Sequence, residues 1–151
     1  MTPNEKAFLD MLATSEGTEK LGDHGYNVLV GGQLFQSYGK HPGIRVVLPR
    51  KGKDPLYSTA AGRYQFKQAT WNDLALRLKL SDFSPSSQDA AALELVREHN
   101  ALEDVRAGRI PMAILKCKSI WASLPGAGYG QHENSQEALL KAYQAAGGAL
   151  T

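Results

Sequence analysis

A single cysteine in 151 residues removes two stabilising devices at once. Cys117 has no partner for an internal disulfide, and no second thiolate exists from which a zinc site would be built. The four histidines, His24, His41, His99 and His132, are scattered without metal-site spacing, so neither a metal nor any other cofactor is expected. Long apolar runs are missing too. No segment approaches the roughly 18 apolar residues needed to cross a bilayer, and Glu5 and Asp10 interrupt the N-terminal stretch where a signal peptide would be continuously apolar. The chain therefore reads as synthesised in the cytoplasm without an export address. Charge of one sign is also lacking: 17 Lys and Arg against 15 Asp and Glu leave +2, spread along the chain, with no basic arm for a row of phosphates. Nucleic acid is excluded as a partner on that basis. The densest basic run, Arg50, Lys51 and Lys53, reads as a solvated loop.

Several catalytic signatures are absent: there is no P-loop, no His-Glu-x-x-His, no Gly-x-Ser-x-Gly and no dinucleotide-binding glycine motif between strand and helix. Gly126, Gly128 and Gly130 alternate, but in a proline-led loop with no strand before it.

What remains is an ordinary soluble globule, 42% hydrophobic and 21% charged. A single domain over residues 1–151 is expected, burying roughly 70% of the unfolded chain's surface. Thr2-Pro3-x-Glu5 is a helix start, with a capping box and a proline in the first turn. Ala7, Phe8, Met11 and Leu12 follow at helical spacing, and the helix ends near Ser15, Glu16 and Gly17. From about 26 to 66 short β-branched runs alternate with turn residues (Val28 to Val30, Gly31-Gly32, Leu34-Phe35, Ile44, Val46-Val47), the texture of a small antiparallel lobe. Helical periodicity returns through Trp71, Leu74 and Leu78, then after Ser84-Pro85 through Leu93 and Val96. It continues from Ala101 to Ala107, from Pro111 to Trp121, where Cys117 should pack as a small hydrophobe, and after an Asn134-x-x-Glu137 capping box. The order gives an α+β fold, mainly helical, with a small β lobe and a cleft where lobe meets helices.

At that junction stands Glu16. A glutamate near a helix end is ordinarily solvated, but one held partly buried would be protonated near neutral pH and able to donate. His24, beside Asp23, is a weaker candidate. Tyr64 offers an aromatic face and Gln65 an amide to a ligand; equally, Tyr64 packs in a core and Gln65 caps backbone. The glycines of the Pro125 to Gln131 loop allow close approach to a ligand, with Tyr129 adding a ring and a hydroxyl, while a tight turn would use the same glycines. Trp71 and Trp121 fall on apolar helical stripes and read as core.

The segments Lys6-Ala-Phe-Leu-Asp-Met-Leu-Ala13, Ser15-Glu-Gly-Thr18, His24-Gly-Tyr26, Val30-Gly-Gly32, Ala61-Gly-Arg-Tyr-Gln65, Asp82-Phe-Ser-Pro85, Ser87-Gln-Asp89 and Ile120-Trp-Ala-Ser-Leu-Pro-Gly-Ala-Gly-Tyr-Gly-Gln131 run in order through the chain. In them the sequence resembles the lambda endolysin family of lysozyme-like lytic transglycosylases. The resemblance implies a lysozyme-like fold with Glu16 as the single catalytic residue. It implies cleavage of the β-1,4 bond between N-acetylmuramic acid and N-acetylglucosamine in the glycan strands of bacterial peptidoglycan, leaving 1,6-anhydro ends. Tyr64, Gln65, Gly126, Ala127, Gly128 and Tyr129 would line the substrate cleft. By the same resemblance a phage holin gives the protein its route from the host cytoplasm to the wall, while a monomer is expected as the default for a diffusing lytic enzyme. A hydrolytic muramidase on the same fold would need a second acid, for which Glu19 and Asp23 are the nearby choices; a non-catalytic wall-binding module is the alternative from another class. The stretch Glu19 to Asp23 looks shorter than in that family, Gly39 to Ser58 has diverged, and the chain stops soon after Gly148.

Overall fold

The computed structural model describes residues 1–128 and 132–151. Among them the elements run α1 (Pro3–Glu16), β1 (Val46–Arg50), β2 (Lys53–Ser58), α2 (Gln68–Leu78), α3 (Pro85–Glu98), α4 (Leu102–Ala107), α5 (Ile110–Cys117) and α6 (Gln136–Ala145), an α+β fold dominated by helix. The chain divides into two compact units, residues 1–17 with 92–151 and residues 18–91, so α3 contributes to both.

In the first unit α1 packs against α6 and α4. Thr2 caps it by accepting from Glu5 N–H at 3.1 Å, but Glu5 does not complete the capping box. Its carboxylate is buried and pairs with Arg106 at 2.8 Å. Burial of Leu9 beside Ala7, Phe8, Met11 and Leu12 shows that α1 is covered on more than one face. Val105, Ile110, Ile114, Cys117, Leu124, Leu139 and Tyr143 complete this core. α1 stops because Gly17 takes φ +74°, a left-handed conformation in which its N–H reaches back to Ala13 and Thr14 carbonyls.

Two expectations need correction here. α5 ends at Cys117 rather than reaching Trp121: Ile120 N–H bonds to Cys117 O at 2.9 Å, three residues back, which tightens the chain out of the helix. The cap of α6 is Ser135, whose hydroxyl accepts from Ala138 N–H, not Asn134.

The second unit holds the antiparallel pair β1 and β2, in register through Val46 with Ser58, Val47 with Tyr57 and Leu48 with Leu56. The run Val28 to Val30 makes only isolated bridges, Val28 to Leu34 and Leu29 to Ala61. Gly31 and Gly32, both at positive φ, turn the chain before a strand can extend. Trp71 sits at the centre of this core, its ring centroid 4.6 Å from Phe83 and 5.3 Å from Phe66. Ser84 caps α3 through Ser87 N–H, as the Ser-Pro pair suggested. The α2 cap arrives from a distance, Thr59 Oγ1 accepting from Gln68 N–H at 3.0 Å. The basic run Arg50, Lys51 and Lys53 is exposed.

Candidate active site

Glu16 is the last residue of α1. Gly17 ends the helix directly behind it, and a Cβ at that position would meet nothing within 4 Å, so the carboxyl is delivered to a helix terminus where no side chain crowds the turn. The group is only partly exposed. Burial pushes its pKa from 4.5 up to about 7, and a hydrogen bond from the Ser123 side chain works against that rise. The result is a carboxylic acid that holds its proton close to neutral pH, which is what a general acid requires.

Ser123 belongs to a hydrogen-bonded cluster with two other polar residues of the same unit, Ser15 and Asn134. Ser15 Oγ and Ser123 Oγ are 2.7 Å apart. Asn134 Nδ2 donates to Ser15 O at 2.9 Å, and lies 3.2 Å from Ser15 Oγ and 3.3 Å from Ser123 O. Asn134 N–H also bonds to Ser123 O at 2.8 Å. Sequence reasoning missed all three as site residues. Ser15 and Ser123 carry no chemical signal of their own in the sequence, and Asn134 stands where a helix cap is expected, a role asparagine favours.

The loop after Leu124 also belongs to the first unit. Gly126 and Gly128 both have φ +79°, and a Cβ at Gly128 would point into open space. Both backbone N–H groups are taken by Glu133, at 3.0 and 2.9 Å, which holds that carboxyl below the usual range. Gly126, Ala127 and Gly128 thus present a loop whose curvature a carboxylate clamps. Tyr129 lies outside the described residues.

The other expected site residues are in the second unit. Tyr64 is completely buried. Its hydroxyl donates to Asp89 at 2.6 Å, Tyr26 donates to the same carboxylate at 2.9 Å, and Arg63 reaches the Tyr64 oxygen at 3.2 Å. Burial and the Asp89 charge raise the Tyr64 pKa far above a phenol's ordinary value. This is the core placement rather than a free ring. Gln65, at φ +54°, turns its amide nitrogen onto Gly62 O at 2.9 Å and Val28 O at 3.3 Å, the backbone-capping arrangement. Arg63 is held by His24 O at 2.9 Å and lies over the Tyr26 ring. His24 itself is exposed at φ +51°. Asp23 accepts from Tyr38 at 2.7 Å.

This set of helices and sheet has close counterparts. The structure of bacteriophage lambda lysozyme complexed with a chitohexasaccharide superimposes with a TM-score of 0.94 at 48% identity, covering 100% of this chain and 98% of that one. In sequence, the endolysin of Escherichia phage lambda is 50% identical over 149 residues, 96% of this chain and 92% of that protein. The endolysin of Escherichia phage P2 is 48% identical over 157 residues, 96% and 93%. A family model described as Endolysin matches residues 6–150. The chain belongs to the endolysin family.

Proposed function

We propose that this protein is a phage endolysin that degrades bacterial peptidoglycan, and that it does so as a lytic transglycosylase with Glu16 as the one acid and base. The observation that carries the proposal is the Glu16 carboxyl at the glycine-terminated end of α1, its pKa raised to about 7. The lambda lysozyme complex with a chitohexasaccharide supports a glycan ligand for the fold.

Protonated Glu16 gives its proton to the glycosidic oxygen as the bond to the anomeric carbon of N-acetylmuramic acid breaks. The C6 hydroxyl of that same sugar attacks the anomeric carbon, and the carboxylate left on Glu16 takes the hydroxyl proton. One new C–O bond replaces the one lost, no water is consumed, and Glu16 ends as it began. A hydrolase would instead position water with a second carboxylate. Gly126, Ala127 and Gly128 form one wall for the glycan by shape, since the N–H groups of the two glycines are already bound by Glu133. Tyr64 and Gln65 contribute by holding their own unit together, Tyr64 through the Asp89 carboxylate and Gln65 through the Gly62 carbonyl.

The chain folds as one functional domain and acts as a monomer. No helix among the described residues is long and apolar enough to cross a membrane, and a phage holin supplies the route to the wall. Enzyme added outside intact cells will therefore leave them unlysed until the membranes are permeabilised.

Mass spectrometry of fragments released from purified peptidoglycan tests the chemistry. Products one water lighter than hydrolytic fragments, absent with Glu16→Gln, support transglycosylation. Full-mass reducing ends would identify a hydrolase, and unchanged turbidity of wall suspensions would identify a binding module.

A further inference from the structure

The hydrogen bonds around Glu16 have a direction that can be read from one end. Ser15 O and Ser123 O are carbonyls and can only accept, so the Asn134 amide must turn its nitrogen toward them, at 2.9 and 3.3 Å. That same nitrogen faces Ser15 Oγ at 3.2 Å. Ser15 Oγ therefore accepts from Asn134 and keeps its own hydrogen available for Ser123 Oγ at 2.7 Å, a pair in which either hydroxyl can donate. With Ser15 as the donor of that pair, Ser123 keeps its one hydrogen for the Glu16 carboxyl, the arrangement in which its hydrogen bond lowers the Glu16 pKa. Ser15 is buried, so water does not compete freely for its hydroxyl.

We propose that Ser123 is a positioning residue for Glu16: the Asn134 and Ser15 side chains turn its hydroxyl so that it donates to one carboxyl oxygen and leaves the other to carry the catalytic proton. The inference rests on the reading of Glu16 as acid and base. In the donating state the carboxyl then presents its proton on a defined oxygen. After transfer, the Ser123 hydroxyl stabilises the carboxylate until the C6 hydroxyl proton returns. Asn134 N–H on Ser123 O closes the far end of the loop onto the same residue. On the elements packed against α1, the ionisable side chains of α6 are Glu137 and Lys141, which face each other, and Tyr143, whose hydroxyl donates to Ala149 O. Those of α4 are Glu103, Asp104 and Arg106, and Arg106 is tied to Glu5 in the first turn of α1. The causes acting on Glu16 are burial and Ser123.

The test is a carbon-13 NMR titration of the glutamate side-chain carboxyls, with Glu16→Gln identifying the Glu16 resonance, alongside kcat and KM on soluble glycan oligomers. In Ser123→Ala the Glu16 midpoint is expected to climb by about one pH unit above the native value, with kcat down about tenfold and KM unchanged. Ser15→Ala, which leaves Ser123 in place but frees its hydroxyl, shifts both in the same direction by less, and Ser123→Thr restores the native midpoint. An unmoved midpoint in Ser123→Ala and Ser15→Ala overturns the proposal, as does a loss of kcat without any change in midpoint. Turnover by Glu16→Gln would overturn the reading of Glu16 as the acid, a failure the titration of the native carboxyl separates from the first.

Discussion

Replacing Glu16 by glutamine should make the protein more stable, and the gain should depend on pH. Glu16 titrates at 4.5 when unfolded and at about 7 when folded. Below pH 4.5 both states carry the proton and ionisation costs nothing. Between 4.5 and 7 the unfolded chain releases its proton while the folded chain keeps it, so native stability falls as pH rises, by about 1.4 kcal/mol per pH unit. Above 7 both states are ionised and the full penalty, about 3 kcal/mol, is in force. Glutamine has the same shape, can accept the Ser123 hydrogen bond and never ionises. Glu16→Gln should therefore match the native protein at pH 4.5 and exceed it by about 3 kcal/mol at pH 8, with inactivity at both. Urea unfolding followed by tryptophan fluorescence reads the difference, because Trp121 lies in the unit of Glu16 and Trp71 in the other. With a slope of about 2 kcal/mol per molar urea, the midpoint gap should open to about 1.5 M across that range. A gap that stays constant from pH 5 to pH 8 would refute the reasoning, since it would mean that burial does not penalise the Glu16 charge.

Three further substitutions separate architecture from chemistry. Gly62 has φ +84° and a Cβ there would lie 2.4 Å from Gln88 Oε1 and 2.8 Å from Phe83, so Gly62→Ala should destabilise the protein by about 3 kcal/mol or more, measured by chemical unfolding. Tyr64→Phe deletes a buried hydrogen bond to Asp89 and should cost about 1.5–3 kcal/mol of stability while leaving KM for glycan unchanged; a raised KM at unchanged stability would restore Tyr64 as a contact. Glu133→Gln weakens the clamp on Gly126 and Gly128 and should raise KM a few-fold with kcat retained. Because the native Glu133 pKa is lowered, that difference should hold at every assay pH above 4.5.

Features written in consecutive residues were legible in the sequence: the Thr2 cap, the Gly17 stop, the Ser84-Pro85 start of α3 and the apolar stripe of α1 all appear as read. Features decided by distant partners were not. Asn134 and Ser135 are both good cap residues, and nothing local says that Asn134 is drawn away to Ser15, 119 positions earlier. Glu5 matched the capping box but was taken by Arg106, 101 positions later. Val28 to Val30 had the composition of a strand, yet pairing across the Gly31-Gly32 turn lasts for one bridge. The candidate site divides in the same way, for Glu16 stands out through its helix end, whereas Ser123 acquires its role only once the fold brings it to the carboxyl.

That distant assembly also explains why the acid is tolerated where it is. A half-buried carboxyl is a liability when ionised, and the fold limits it with one directed hydroxyl rather than with a cation. A lysine or arginine beside Glu16 would have lowered its pKa and removed the proton needed for donation. A wholly apolar surround would have raised the pKa further and left the carboxylate formed after bond cleavage without a donor. A neutral hydroxyl lies between these limits, holding the group near 7. Stability and acid function then depend on the same proton. As pH rises, the folded state begins to lose stability above 4.5, and the acid form is lost as pH passes through 7. Both are preserved together on the acidic side, so an assay that finds activity declining as pH passes 7 while the native unfolding free energy, taken relative to Glu16→Gln, does not fall between pH 4.5 and 7 would contradict this account of the site.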